Sequence, residues 1–249
     1  MPKVIGIVPA RYQSKRFPGK ALALLGGVPL TVMVYRAVLR SSLIDDVYVA
    51  TDDPRIESAV KQHGGRVIPT SGDHATGSDR VAEAAGKIPD ADFVINIQGD
   101  EPFISGEIID RVVSALNNPE VVMSTACAPF AKEDDIADPN IVKVVLDTQG
   151  NALYFSRSRI PYVRHEGIGA AGPYRHIGIY GFERDFLMTF AAFKRSPLEE
   201  TEGLEQLRAL EHGYNIRAEI VRWNFPGIDS KEDLARAEAL LVERERQDG

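Results

Sequence analysis

Residues Val4-Ile5-Gly6-Ile7-Val8 run on with no polar residue between them. A strand that does not alternate is buried on both faces, and such strands belong to parallel sheets covered by helices. The next segments keep that rhythm. The run "DVYVAT" predicts a strand over 46–51, "PRIESAVKQHGG" a helix over 54–65 with a glycine stop, and "RVIPT" a strand over 66–70. Helix 77–88, strand 91–98, helix 106–116 and strand 121–128 continue the alternation. Before them, "PLTVMVYRAVLRSS" has helical spacing, with Pro29 suited to the first helical position. Strands that alternate with helices fold as right-handed βαβ units around a mostly parallel sheet.

Beyond residue 140 the pattern changes. "IVKVVLDTQGNALYFSR" reads as two strands joined by a glycine-containing turn, and "YRHIGIYGFER" returns as a strand over 174–184. Helical spacing then covers about 184–194 and 199–213, a strand lies in "NIRAEIVRW", and a last helix starts near Ser230. No Ser/Gly linker divides the halves. The expectation is one domain over 1–249, an α/β core with a β-rich excursion.

Composition narrows the function. The net charge is −7, and a general nucleic-acid binder would need a broad basic face instead. The longest apolar runs fall short of the ~20 residues that span a bilayer. With Cys127 alone, neither an intrachain disulfide nor a CxxC site is available. The expectation is a cytoplasmic protein without nucleic-acid partners or membrane insertion.

Against that acidic background Arg11, Lys15, Arg16 and Lys20 crowd into "VPARYQSKRFPGKAL", directly after the first strand. Ligands of open α/β sheets sit outside the carboxyl ends of the strands. Arginines grip phosphate oxygens bidentately, lysine acts as a compact point charge, and Pro18-Gly19 lets backbone N–H groups approach an anion. The loop is no P-loop, since Ser14 and Ala21 occupy positions that motif reserves for Gly and Ser/Thr. "GIGAAG" at 167–172 matches the dinucleotide spacing, but Pro173 and a strand come where a helix must start, so it reads as a loop.

Asp100, in "NIQGDEP", falls after a buried strand on the edge that carries the basic loop. A carboxylate beside a polyphosphate holds Mg²⁺ with water and phosphate completing the shell. Asp229, in "PGIDSKEDL", is a second candidate, although Asp229 and Ser230 are equally placed to cap the last helix. "TGSDR" is a third loop, with Ser78 and Arg80 at a helix start; the plainer alternative is a cap by Ser78 or Asp79 with Arg80 on the solvated face. Alternation puts His176, Gly178 and Tyr180 on one strand face, near Arg157, Arg159 and Arg175, an arrangement suited to an anionic polyol. The remaining histidines lack zinc-ligand spacing.

Taken in order, "PARYQSKRFPGK", "VATDD", "TGSDR", "NIQGDEP", "PNIVKVVLD", "ALYFSRSRIPY", "RHIGIYGF", "LEQLR" and "PGIDSKEDL" resemble the CMP-Kdo synthetases, cytidylyltransferases acting on 3-deoxy-D-manno-octulosonate (Kdo). The likeness runs from about residue 4 to 240. Lys15 departs from it, standing where that family usually has a small hydroxyl residue. The resemblance implies a three-layer nucleotidyltransferase-type α/β fold, with 1–130 mainly nucleotide-binding and 140–220 mainly for the sugar and dimerisation. It implies a cytoplasmic homodimer in lipopolysaccharide biosynthesis and Mg²⁺-dependent transfer of CMP from CTP to the anomeric hydroxyl of Kdo. Arg11, Arg16 and Lys20 are implied at the triphosphate, Ser78, Arg80 and Gln98 at the nucleotide, and Asp100 with Asp229 at the metal. Arg157, His176, Tyr180, Glu205 and Gln206 are implied on the sugar-acid side. Transfer to 8-amino-Kdo or a sialic acid, and a non-catalytic nucleotide-binding module, are the rival expectations.

Overall fold

A computed structural model describes residues 2–13, 17–130, 134–164, 172–223, 225 and 227–247. In chain order the strands are β1 (Val4–Pro9), β2 (Leu24–Leu25), β3 (Val28–Pro29), β4 (Asp46–Thr51), β5 (Val67–Pro69), β6 (Phe93–Ile97), β7 (Met123–Pro129), β8 (Lys143–Leu146), β9 (Ala152–Ser156), β10 (Tyr174–Glu183) and β11 (Arg217–Ile220). The α-helices are α1 (Leu30–Val38), α2 (Pro54–Gln62), α3 (Gly77–Gly86), α4 (Gly106–Ala115), α5 (Arg184–Ala192), α6 (Pro197–Glu202), α7 (Leu207–Glu211) and α8 (Lys231–Gln247). Two compact units result, one of residues 1–110 and 225–249, the other of 111–224.

In the first unit β1 pairs in parallel with β4 on one side and β6 on the other, and β4 pairs in parallel with β5. The unbroken apolar run therefore lies inside the sheet, with Ile5, Ile7 and Val8 wholly buried. Parallel pairing also delivers the carboxyl ends of β1, β4, β5 and β6 to one edge. Helix starts on that edge are chemically marked. Asp53 caps α2 by accepting from Arg55 N at 2.9 Å, with Pro54 in the first turn. Thr76 and Asp79 cap α3 reciprocally, so Thr76, and not Ser78 or Asp79, is the cap residue. Pro29 likewise precedes α1 as its cap, and it ends a short β2–β3 hairpin that the sequence spacing does not predict.

The turn before α3 hangs on Glu83. Its carboxylate accepts from Ser71 N at 2.8 Å and Lys87 Nζ at 2.8 Å, and meets His74 Nε2 at 2.5 Å. Lys87, then Ser71 and His74, pull its pKa from 4.5 down to about 2. A depressed carboxylate pKa stabilises the fold above the unfolded value, and that stabilisation disappears as pH falls toward the folded value. Glu83→Gln is thus expected to lower Tm at pH 7 and to approach the wild-type Tm as the pH drops from 4.5 toward 2. Thermal scans across that range check it; a Tm gap that stays constant refutes it.

In the second unit β7 pairs antiparallel with β10 and parallel with β11, while β8 bridges β10 and β9 antiparallel. The expected turn between β8 and β9 is present, with Gly150 at φ 86°. The helical stretch read as continuous over 199–213 is two helices, α6 and α7. Gly203 stops the first in the left-handed region at φ 64°, a conformation that suits a residue lacking Cβ. Phe182 of β10 packs against Phe186 and Phe190 of α5.

Candidate active site

The loop leaving β1 is pinned before it reaches Lys20. Gly19 N donates to Tyr12 O at 3.0 Å, and the Arg55 guanidinium lies 3.3 Å over the Tyr12 ring. Asp53 holds that guanidinium through Nε at 2.9 Å and Nη2 at 2.6 Å. A planar cation stacked on a ring and forked to a carboxylate is a rigid brace. Arg11 is exposed on this loop. Arg16, together with Ser14 and Lys15, lies outside the described residues.

Lys20 brings the two distant aspartates together. Its ammonium donates to Asp100 Oδ2 at 2.8 Å and to Asp229 Oδ1 at 3.2 Å. Burial works against the lysine charge, but Asp100 and then Asp229 outweigh it, and the pKa is raised. Lys20 is therefore a cation throughout the neutral range. The choice of cap at α8 explains why Asp229 can face Lys20. Ser230 Oγ accepts from Asp233 N at 3.1 Å and Asp233 Oδ2 accepts from Ser230 N at 2.8 Å, so Ser230 is the cap. The loop that carries Asp229 is tied to the other aspartate, since Ile228 N donates to Asp100 O at 2.9 Å.

Both carboxylates thus already converge on one cation. Among the described residues no group of three or more His, Cys, Asp or Glu side chains can hold a metal. Mg²⁺ fits such a pair, because it is bound by one or two carboxylates with water and substrate phosphate supplying the other ligands.

Beside this pair sits a polar patch. Asn96 is fully buried on β6 and donates to Ser78 Oγ at 3.4 Å, and Gln98 Nε2 donates to Asn96 Oδ1 at 3.3 Å. Ser78 and Gln98 therefore do meet around one buried amide. Arg80 is not solvated as its sequence context suggested. It is 4% exposed and donates to Thr70 Oγ1 at 2.6 Å and to Asp52 at 2.8 Å. Asp52 was missed in the sequence; its signal was an acidic pair, Asp52-Asp53, directly after β4.

The second unit gathers its own cluster. His176 and Tyr180 share a face of β10 with ring centroids 5.4 Å apart, and the Phe155 ring meets His176 edge-on at 5.0 Å. Burial pushes the His176 pKa down to about 3, so the ring is neutral. Burial and the Glu205 charge raise the Tyr180 pKa, which keeps the phenol protonated. Gln206 is 3% exposed and its Nε2 has no hydrogen-bond partner among the described residues. A buried amide donor without a partner is costly unless a ligand takes it.

Arg157 spends Nε on Glu202 O at 2.8 Å and Nη1 on Pro139 O at 3.0 Å. Lys143 holds the same region from inside: fully buried, it donates to Asp138 O at 2.9 Å, Ile141 O at 2.7 Å and Arg157 O. Residues 165–171, and with them most of "GIGAAG", lie outside the described residues.

A family model described as cytidylyltransferase matches residues 5–219. A 3-deoxy-manno-octulosonate cytidylyltransferase of Acaryochloris marina is 44% identical over 239 residues, covering 96% of this chain and 97% of the relative. The enzyme of the same name from Phocaeicola vulgatus is 47% identical over 251 residues, covering 98% and 99%. A solved structure of CMP:2-keto-3-deoxy-manno-octonic acid synthetase complexed with CTP matches at TM-score 0.91 and 39% identity, covering 97% of this chain and 99% of that one. A 4-diphosphocytidyl-2C-methyl-D-erythritol synthase from Anaerococcus prevotii, at TM-score 0.65 and 15% identity over 97% of this chain and 96% of that one, shares the fold alone. A mixed α/β fold with a mostly parallel sheet, a basic loop and a carboxylate pair at its strand ends, and full-length likeness to these enzymes lead to one conclusion: the chain belongs to the cytidylyltransferase family.

Proposed function

We propose that the chain transfers CMP from CTP to the anomeric hydroxyl of Kdo, releasing pyrophosphate. The observation that carries this reading is the convergence of Lys20, Asp100 and Asp229 at the carboxyl edge of a parallel sheet. A hindered hydroxyl must attack a highly charged triphosphate, and enzymes of this chemistry answer with position and electrostatics. Arg11, Arg16 and Lys20 take the phosphates, with Lys20 as the point charge facing the departing pyrophosphate. Ser78 and Gln98 receive the nucleotide, and Arg80 braces the 70–78 loop through Thr70 and Asp52. Glu205, Gln206, His176 and Tyr180 receive the sugar acid, with Arg157 fixing the adjacent backbone.

Asp100 and Asp229 would hold Mg²⁺, which supplies Lewis-acid polarisation of a phosphoryl oxygen and acidifies a bound hydroxyl. The carboxylates themselves keep the charge balance of the site, and Lys20 provides a cation on the same two oxygens. A homodimer acting in the cytoplasm for lipopolysaccharide assembly completes the reading, and the relatives' names support its Kdo half.

Pyrophosphate release measured over CTP, UTP, ATP and GTP, each with Kdo, 8-amino-Kdo and a sialic acid, tests the assignment. Turnover is expected with CTP and Kdo; preference for another sugar acid or nucleotide would overturn it. Lys20→Ala is expected to lower kcat by about 10² while changing the KM for CTP less, since the charge that Lys20 meets grows in the transition state. An unchanged kcat returns Lys20 to a purely structural bond with the aspartates.

A further inference from the structure

We propose that Thr125 is a positioning residue that fixes His176 in a single tautomer, with Nε2 protonated and Nδ1 presented as a hydrogen-bond acceptor. The assignment comes from counting protons. Thr125 is wholly buried on β7, and its hydroxyl carries one hydrogen and two lone pairs. Its Oγ1 lies 2.7 Å from Ile179 O, 3.0 Å from His176 Nε2 and 3.5 Å from Ile177 O. A carbonyl only accepts, so the single hydroxyl hydrogen goes to the nearer carbonyl, Ile179 O. Toward the imidazole the hydroxyl is then an acceptor, and the hydrogen between them belongs to Nε2.

The strand geometry makes this arrangement specific to the site. Between Ile177 and Tyr180 the pairing of β10 with β7 slips: His176 lies opposite Cys127 and Tyr180 opposite Thr125. Two residues, Gly178 and Ile179, are taken up in the bulge, so the parity of the strand survives and His176 and Tyr180 still share a face. The bulge turns Ile179 O onto the Thr125 hydroxyl, and the hydroxyl hands its lone pair to the histidine. Phe155 and Tyr180 fence the ring, and a neutral imidazole carries one N–H only. Nδ1 is therefore a bare lone pair, without a partner among the described residues.

A bare lone pair selects its ligand. It takes a hydroxyl, which donates, and repels a carboxylate, which cannot. In the sugar-acid site this assigns His176 to a hydroxyl of the polyol and leaves the acid group to donors elsewhere. The kinetic consequence rests on the reading of His176 as a sugar-acid contact; the tautomer assignment does not.

Two measurements on the full chain separate the two. In histidine ¹⁵N-labelled wild-type protein, long-range ¹H–¹⁵N correlations should show His176 with a protonated Nε2 and an unprotonated Nδ1. An Nδ1–H ring in the wild type overturns the proposal, and no variant needs to fold for that result. Thr125→Val should lose the single-tautomer signature and raise the KM for Kdo about tenfold, the worth of one well-made hydrogen bond. The KM for CTP should stay unchanged, and Thr125→Ser should restore both signals. A Thr125→Val protein that keeps the wild-type tautomer, or one that loses it with no change in KM while His176→Ala raises KM, overturns the positioning role. If His176→Ala itself leaves the KM for Kdo unchanged, the sugar-side reading falls and the tautomer assignment stands.

Discussion

Asp100→Asn and Asp229→Asn are each expected to lower kcat by on the order of 10³ or more, the scale of losing a preorganised electrostatic group at a reacting phosphate. The two substitutions remove one negative charge apiece and almost no volume. Each side chain touches Lys20, at 2.8 Å and 3.2 Å, so each variant also leaves a lysine with half its counter-charge. The fold should tolerate this, because both carboxylates are partly exposed and such pairs contribute little net stability. Helix α8 should keep its start, since its cap is Ser230. That separation supplies a control: Ser230→Ala should cost about 1 kcal/mol of stability and leave kcat near wild type. Single-turnover pyrophosphate release with circular dichroism melts decides the matter. Near-normal rates in either asparagine variant would end the shared-cation scheme, and so would a large fall in kcat for Ser230→Ala at full folding.

The largest expected loss of stability lies in the second unit. Arg208 and Glu199 are 2% and 5% exposed, and they meet side-on: Nε to Oε2 at 2.7 Å and Nη2 to Oε1 at 2.5 Å. Glu199 also accepts from Ser196 N at 3.2 Å at the start of α6, and the guanidinium lies 4.9 Å from the Phe190 ring centroid. Arg208→Met keeps most of the apolar stem and deletes the charge, stranding Glu199 in the interior. A buried charge left unpaired costs about 3–5 kcal/mol, which for a chain of this size is a fall in Tm on the order of 10 °C. Glu199→Leu combined with Arg208→Met should recover much of the loss, because the desolvation penalty of both ions disappears with them. Denaturant melts of the two single variants and the pair check this; additive losses would mean the pair is not energetically coupled. Since α7 comes directly after Glu205 and Gln206, Arg208→Met should also raise the KM for the sugar acid more than that for CTP.

Periodicity and position carried the first unit. The alternation of buried strands with helices arises from local spacing, and a parallel sheet fixes which loops share an edge. Asp100 and the basic loop could thus be assigned to one edge from the sequence. Asp229 and Ser230 could not be told apart, because either oxygen can serve a helix start; only the reciprocal bond between Ser230 and Asp233 decides it. The second unit was harder to read. Lys143 sits in "IVKVVLD", where alternation suggests a solvent-facing residue, yet it is 0% exposed. Its partners are backbone carbonyls of two separate turns, and no side-chain pattern announces a carbonyl. Glu199 and Arg208 fall in a stretch whose spacing reads as one continuous helix, and the stop at Gly203 lets the two side chains meet. Arg80 failed in the same way: its partners, Thr70 and Asp52, come from two other strand ends.

Lys143 has a consequence beyond packing. Three main-chain oxygens converging on one compact positive charge is the coordination that many proteins give to potassium or sodium. Here the cation is tethered by its own side chain and cannot diffuse away. The turn that carries Arg157 is thus held by a charge the chain itself supplies, with no ion from the surrounding medium needed to bridge those three oxygens.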